Sequence, residues 1–493
     1  MVFAEHKKRI LKDTSLYSLA NFLVQFVGIV TAIVIRRALG PTLVGVWELL
    51  KIVLSYSMYS DMGVSTVAYR DIPFHVGQQN EQEAVKAKNT CFSYTITVSL
   101  LMSALLIAGS MFRCDGYPRE IIVGLRVIGL ILVMTSVYNF YILLMRAYKN
   151  FVVLSQTIVI NAVLVLVFTV ILVPRFKIYG MYMAISVALL ICCIYIFIRT
   201  KYTFRLTFDL EKLKYMIRTG APMLLSGIGF VLLISVDKLM IAKYLGFEEV
   251  GFYTIASMAT ITLITVPKSF SIVVFPSMQE HYGRVENIAE IKSYLFQPIK
   301  LIVYFMPFFI GISYFIVPVL VSYVLPKYVP GIIAFKILMG GVFFVCVAYP
   351  SSIFMLTINK QVRLAVLVFI SVAISVLMVY FSIQRGLSLQ GVALSMSISY
   401  FIYFILITVD SLHRVSGFKE NCKVLLIVFG SFLYFLIIVL CIEKFIVLES
   451  SILNMFMHIV VFILANGVFL IFVRRKQVGA LFSDGRISEQ LKS

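Results

Sequence analysis

Fourteen apolar runs, each long enough to cross a hydrocarbon core, constrain this sequence more than any other feature. They fall near 14–35, 44–66, 85–111, 120–145, 151–173, 179–198, 221–245, 250–277, 295–323, 332–356, 363–383, 389–410, 423–441 and 452–473. A helix rises about 1.5 Å per residue, so ~20 residues cover a core of about 30 Å. The chain is 61% hydrophobic and 13% charged over 493 residues, which fits a polytopic membrane protein and excludes a soluble one of this length. The expected fold class is therefore all-α and polytopic, with about fourteen transmembrane helices.

The formal charge of +20 would suggest nucleic acid in a soluble protein. Here the bases sit between the apolar runs, where they report topology. Both termini and the even-numbered connections hold more than twice as many Lys and Arg as the odd-numbered connections, so that side is expected to be cytoplasmic. Ser493 and Gly417 are then inside and Tyr117 outside. No nucleic-acid partner follows from the charge. Lys7, Lys8, Arg9 and Lys12 ahead of the first run resemble a signal peptide. The run from Thr14 to Ile35 is too long for one, however, and no A-x-A site follows, so it reads as an uncleaved first span. The seven cysteines show no C-x-x-C spacing. Cys91, Cys192, Cys193, Cys346 and Cys441 lie in apolar runs and read as packing residues.

The chain repeats itself. Leu39-Gly40-Pro41-Thr42-Leu43-Val44-Gly45-Val46-Trp47 matches Leu245-Gly246-Phe247-Glu248-Glu249-Val250-Gly251-Phe252-Tyr253, an offset of 206 residues from Gly40 to Gly246. Lys149 ahead of the fifth span matches Lys360 ahead of the eleventh, and the sixth span's Gly180-Met181-Tyr182-Met183 matches Gly391-Val392-Ala393-Leu394, both at an offset of 211. Spans one to six thus recur as seven to twelve. Six is even, so the copies share orientation, and parallel repeats of this kind are a transporter design with substrate held between them. Spans thirteen and fourteen have no counterpart. The expected divisions are 1–205, a six-helix bundle; 206–220, a cytoplasmic amphipathic linker; 221–411, a second bundle; and 412–493, two additional helices and a tail. In the connection from Arg199 to Gly220, apolar Phe208, Leu213, Met216 and Ile217 alternate with Lys212, Lys214 and Arg218. This pattern suits either a helix on the anionic inner leaflet or a solvated linker.

Ionisable residues inside spans are costly and mark functional positions. Lys268 follows Pro267 in the eighth span and shares an ideal helical face with Thr254, Ser257 and Ser271, which marks it as a cavity cation for an anionic substrate; the plainer reading is a lysine snorkelling to the interface. Lys51 lies three residues after Glu48, and the two can pair or Glu48 can carry a coupling proton. Asp61 and Asp237 are further candidates for ion coupling; the plainer readings are a solvated position near the cytoplasmic helix end for Asp61 and a local cap or pair for Asp237. Arg126 is a candidate for the outer part of a cavity. Lys300 and Lys336 are expected to snorkel, and Trp47 to belong to an interfacial aromatic belt. His458 lies alone in a span and reads as packed. No catalytic set, metal site or phosphate-binding Gly-rich loop appears, so the sequence implies a non-enzyme without direct ATP drive.

The two L-G-x-x-x-V-G-x-[WY] turns, Asp237 ahead of the second, Phe275-Pro276 near the end of the eighth span and the fourteen-span plan give the chain a resemblance. It is similar to the multidrug/oligosaccharidyl-lipid/polysaccharide (MOP) flippase superfamily, and most similar to its polysaccharide transporter branch with the O-antigen flippases. The resemblance implies two six-helix bundles around a central cavity with alternating access. It also implies transfer of an undecaprenyl-pyrophosphate-linked oligosaccharide to the outer leaflet of the bacterial cytoplasmic (inner) membrane. It leaves H+ or Na+ coupling open, requires no cofactor, and suggests polysaccharide polymerase and chain-length machinery as partners beside the membrane lipids. Rival readings are a cation-coupled multidrug exporter of the same superfamily and a membrane-embedded glycosyltransferase or polymerase. Exporters need cavity carboxylates, whereas here in-span bases outnumber Glu48, Asp61 and Asp237. The second rival calls for a large outer loop, and the longest here is about ten residues.

Overall fold

The computed structural model describes residues 2–112, 118–200, 202–285, 287–448 and 450–473. Tyr117 and Ser493, two of the topology markers, lie outside them. Among the described residues the regular structure is helical throughout: α1 (Val2–Met58), α2 (Val64–Gly77), α3 (Glu81–Phe112), α4 (Arg119–Ala147), α5 (Phe151–Thr200), α6 (Leu210–Leu233), α7 (Val236–Tyr244), α8 (Phe247–Val285), α9 (Lys292–Val324), α10 (Ile332–Thr357), α11 (Gln361–Gln384), α12 (Ser388–His413), α13 (Phe418–Phe445) and α14 (Ser451–Val473). Eleven stretches are long and apolar enough to cross a membrane, and Ser451–Gly467 is a shorter apolar one. Two of the eleven lie on α1 and α5, each broken once: α1 at Gly40 (φ 75°, ψ 173°), just before Pro41, and α5 at Lys177 (φ 52°, ψ −129°), after Pro174. Counted on either side of these breaks, the stretches make up the fourteen crossings the sequence implies.

The helices differ from the expected runs at two breaks. The second span does not run unbroken from 44 to 66. It leaves α1 through a 3-10 turn at Tyr59–Asp61 and restarts as α2, with Met62 (φ 50°) and Gly63 (φ 78°) left-handed. Asp61 holds the break together: its Oδ1 accepts from the Gly63 amide at 3.0 Å and its Oδ2 from the Ser65 amide at 3.3 Å. These bonds satisfy amides that a helix start otherwise leaves bare. The seventh span begins earlier than expected, at Leu210, capped by Asp209, whose Oδ1 accepts from the Lys212 amide. It then breaks at Ile234-Ser235 before α7.

The chain forms two compact units, Met1–Thr254 and Ile255–Ser493. In the first, Val64, Val67, Ala68 and Ile72 of α2, Ala87 and Cys91 of α3, Phe140 and Leu144 of α4 and Met216 of α6 form one core. Residues 202–209 are not helical. They form a strap along α3, to which Lys88 Nζ donates at the Thr203 carbonyl (2.7 Å), while the Arg205 and Thr207 amides donate to Asn89 Oδ1 and Ser93 Oγ. Phe204 anchors the strap among Phe92, Phe140 and Tyr141. The Lys212, Lys214 and Arg218 positions of the amphipathic pattern belong to α6. Side-chain acceptors at Asn89 and Ser93, one turn apart, favour this arrangement because they satisfy backbone that water would otherwise have to solvate.

In the second unit α10 is buried along most of its length, with Phe335, Leu338, Val342, Phe343, Cys346 and Phe354 fully enclosed. It packs on α12, where Ser397 Oγ donates to the Ile337 carbonyl and a Cβ on Gly341 would lie 2.4 Å from the Ser397 Cα. Gly311 of α9 likewise makes room for the Phe462 ring of α14.

The repeat has a geometric signature within the turns. Gly40 and Gly246 both take positive φ, 75° and 102°, which only glycine adopts without strain. The turns from α4 to α5 and from α10 to α11 share one hydrogen-bond pattern: Lys149 to the Arg146 carbonyl and Asn150 to Met145 in the first, Asn359 to Leu356 and Lys360 to Met355 in the second. The left-handed residues are Lys149 (φ 55°) and Asn359 (φ 57°). The equivalence is therefore Lys149 with Asn359, an offset of 210 in place of the 211 that pairs the two lysines. The backbone closure of the helix end, not the side chain, fixes the register.

Candidate functional site

The second half of α1 and the first turns of α8 meet through glycine in the first unit. A Cβ on Gly45 would lie 1.8 Å from the Phe247 carbonyl oxygen, and one on Gly251 would lie 2.1 Å from the Pro41 carbonyl oxygen. Gly45 and Gly251 are repeat counterparts, as are Pro41 and Phe247, so the contact is reciprocal. A second close approach, Gly63 against Gly220, brings α2 and α6 together, each glycine facing the other's backbone carbonyl at 2.6 Å from its ideal Cβ.

Beside the reciprocal contact lie the charges. Lys51 donates to Glu48 Oε1 at 2.7 Å, with Glu48 13% and Lys51 43% exposed. The pairing expected at i,i+3 is thus formed. The charges of Lys238 and Arg36 also act on Glu48. Arg36 is buried and donates through Nη1 to the Ala32 carbonyl and through Nη2 to the Thr254 carbonyl (3.4 Å), linking α1 to α8. Asp237 and Lys238 are almost fully buried, at 1% and 4% exposure. Asp237 sits in the first turn of α7, where its Oδ1 accepts from the Lys238 amide at 2.8 Å. Ser235, at the helix break, shares a 2.5 Å hydrogen bond with the Tyr56 hydroxyl. Arg36, Glu48, Lys51, Asp237 and Lys238 thus form one cluster with more positive than negative charge, and each acid in it already faces bases.

The remaining candidates lie elsewhere. Lys268, in the second unit, is exposed on α8 and makes no hydrogen bond or ion pair among the described residues; Ser257 and Ser271 are buried on the same helix. The helix runs unbroken through Pro267. Arg126 is exposed on α4, and its Nε donates to Ser110 Oγ at 3.0 Å. Asp61 spends both carboxylate oxygens on backbone amides. Among the described residues no set of His, Cys, Asp and Glu could hold a metal ion. His458 is packed, with Nε2 against the Ile446 carbonyl and its ring against Phe315.

Lys336 has a partner that the sequence did not suggest: it forms an ion pair with Glu443 of α13, its Nζ lies 5.0 Å from the Tyr314 ring centroid, and Tyr314 donates to the second Glu443 oxygen at 3.1 Å. One sequence expectation is corrected. Trp47 is not in an interfacial belt. It is 4% exposed, 6.1 Å from the Tyr182 ring, because it packs between helices as its counterpart Tyr253 does. Sequence reasoning missed Arg36, which stands beside Arg37 next to a turn and reads as a loop base, and Glu443, which falls just beyond the thirteenth apolar run.

Helices of this number and apolarity, broken in pairs of matching turns and carrying a charged cluster among their apolar segments, define a polytopic membrane protein. A family profile described as polysaccharide biosynthesis protein matches residues 10–281, more than half of the chain, and the protein belongs to that family. Its fold is that of the MOP superfamily. It superposes on the lipid II flippase MurJ in an inward closed conformation with a TM-score of 0.69 at 14% identity, covering 94% of this chain and 99% of that one. A multidrug resistance MATE family transporter of the MOP superfamily in an inward-facing conformation gives 0.65 at 18% identity, with 83% and 95% covered. A MOP superfamily transporter from Pyrococcus furiosus, described as having a binding pocket of reverse polarity, gives 0.61 at 16% identity, with 84% and 96% covered. No curated protein matches the chain by sequence.

Proposed function

We propose that this protein is a flippase that moves a lipid-linked oligosaccharide, carried on undecaprenyl pyrophosphate, from the inner to the outer leaflet of a bacterial cytoplasmic membrane for surface polysaccharide biosynthesis. Alternating access between two six-helix repeats carries the substrate, both termini face the cytoplasm, and polymerase and chain-length machinery receive the product. The observation that carries the reading is Lys268: a cation on a membrane-crossing helix with no anionic partner among the described residues. An unpaired charge there is costly unless water or an anion meets it, and a pyrophosphate supplies the anion. Membership of a polysaccharide biosynthesis family supports the same substrate class. A cation-coupled drug exporter fits less well, since Glu48 and Asp237 are already engaged by bases and by an amide. Proton or sodium coupling would have to pass through one of these acids.

The test is complementation of a strain lacking the gene. Lys268→Ala should lower surface polysaccharide at normal protein level, and Lys268→Arg should retain more, since it keeps the charge. Wild-type delivery by Lys268→Ala at matched expression would remove the substrate role of this lysine. Drug resistance conferred by the wild-type chain, without any change in surface polysaccharide, would favour the exporter.

A further inference from the structure

The strap at 202–209 presents an apolar edge that the protein itself does not cover. Apolar residues alternate along it at Phe204, Leu206, Phe208 and Leu210. Phe204 is packed, whereas Leu206 (71%), Phe208 (51%) and Leu210 (74%) are exposed. Three large apolar side chains within five residues are not left in water by a chain that can avoid it.

The level of the strap says what covers them. The Thr207 amide is bound to Ser93. From Ser93 to its end at Phe112, α3 has about 30 Å left to run at 1.5 Å per residue, which is the thickness of the hydrocarbon core. An acyl–headgroup boundary at the level of Ser93 matches that length. The segment before it is polar, with Lys86 near Asp209 and Lys212 near Glu83, as the headgroup layer requires. α6, itself a membrane-crossing stretch, starts at Leu210 at this same level. Exposed Arg205 lies within the apolar edge, and exposed Lys214 follows Leu210 by about one helical turn. Apolar side chains at the boundary, with bases beside them at headgroup height, are the composition of a segment that sits in an anionic leaflet.

We infer that the strap is a membrane-surface anchor: Leu206, Phe208 and Leu210 insert at the acyl–headgroup boundary, and Arg205 and Lys214 bind the headgroups of anionic phospholipid. The occupant is ordinary bilayer lipid, so the inference does not depend on the transported substrate. Because the strap is fastened to Asn89 and Ser93 of α3 and leads directly into α6, lipid bound here bears on the position of both helices.

Phe208→Trp provides the probe, since the wild-type chain has one tryptophan, Trp47, and it is buried. The protein is reconstituted in nanodiscs of zwitterionic lipid alone or with anionic phosphatidylglycerol, and the wild-type spectrum is subtracted. The expected result is blue-shifted emission from Trp at 208, quenched by lipids brominated high on the acyl chain and poorly quenched by aqueous acrylamide. Protection from acrylamide should grow with phosphatidylglycerol, and Arg205→Gln with Lys214→Gln should abolish that growth. Strong acrylamide quenching without bromolipid quenching would overturn the inference, as water would cover the strap. Protection from both quenchers would overturn it too, as protein would cover it. Bromolipid quenching that ignores lipid charge would overturn the headgroup assignment. Leu206→Trp repeats the measurement should Phe208→Trp fail to insert.

Discussion

Replacing Gly45 by alanine should separate α1 from the start of α8. The added methyl would lie 1.8 Å from the Phe247 carbonyl oxygen and 2.8 Å from its carbon, both backbone atoms that no rotamer change can remove. A carbon next to a carbonyl oxygen settles at about 3.3–3.6 Å, so the two helices must part by roughly 1.5 Å. Overpacking of this kind costs about 1–3 kcal/mol. Against it stands the gain of about 0.5–1 kcal/mol that alanine brings to a helix interior. Gly430 in α13 and Gly28 in α1 have nothing within 4 Å of an added methyl and keep the gain without the clash. Gly45→Ala should therefore lower the unfolding midpoint in detergent while Gly430→Ala and Gly28→Ala hold or raise it. Trp47, two residues further on and buried, reports the separation directly as a shift in emission. Gly251→Ala should behave alike, and Gly45→Ala/Gly251→Ala should cost little more than either alone, because one separation relieves both clashes. A Gly45→Ala protein with wild-type midpoint and unchanged tryptophan emission would refute the close backbone packing.

Lys238→Met removes a buried positive charge close to the buried Asp237 carboxyl and should lower the yield of folded protein in membranes. Adding Asp237→Asn should recover yield; equal yields for single and double variants would contradict the coupling. Glu443→Gln removes the charge that meets Lys336 and weakens the bond from Tyr314, for about 1 kcal/mol given that both charged side chains are about one-third exposed. A double-mutant cycle with Lys336→Met checks it, and additive effects would disprove a direct interaction. Asp61→Ala leaves the Gly63 and Ser65 amides without their acceptor and should cost about 1 kcal/mol by thermal unfolding, whereas Asp61→Asn should cost less.

Much of this architecture is readable from spacing. Apolar run length gives the crossings, and the paired glycine turns give the repeat, since Gly40 and Gly246 do what only glycine does cheaply. The Glu48–Lys51 pair follows from helical spacing alone. What spacing cannot give is contact between distant segments. Lys336 and Glu443 lie 107 residues apart on different helices, and only packing puts them together. Arg36 reads as a loop base because its link to the Thr254 carbonyl spans 218 residues. The strap was hidden for another reason: its apolar residues fit helical spacing as well as the period of two, and the decision rests on side-chain acceptors at Asn89 and Ser93 that lie on another helix. The breaks at Ile234-Ser235 and Met62-Gly63 interrupt runs whose hydropathy is continuous, so run length alone passes over them.

The reciprocal contact of Gly45 and Gly251 has the form of an isologous interface. Position 45 meets 247 while position 251 meets 41, so each copy of the turn offers the same patch to the other. In a chain built by duplication, that is the contact two copies of a half-length protein make across a two-fold axis. Within this one chain the surface is matched to itself. Neither turn is then free to drift alone, because enlarging a residue in one copy demands room from the other. Along a chain whose halves otherwise differ in sequence, these turns are where one copy is matched most directly to the other.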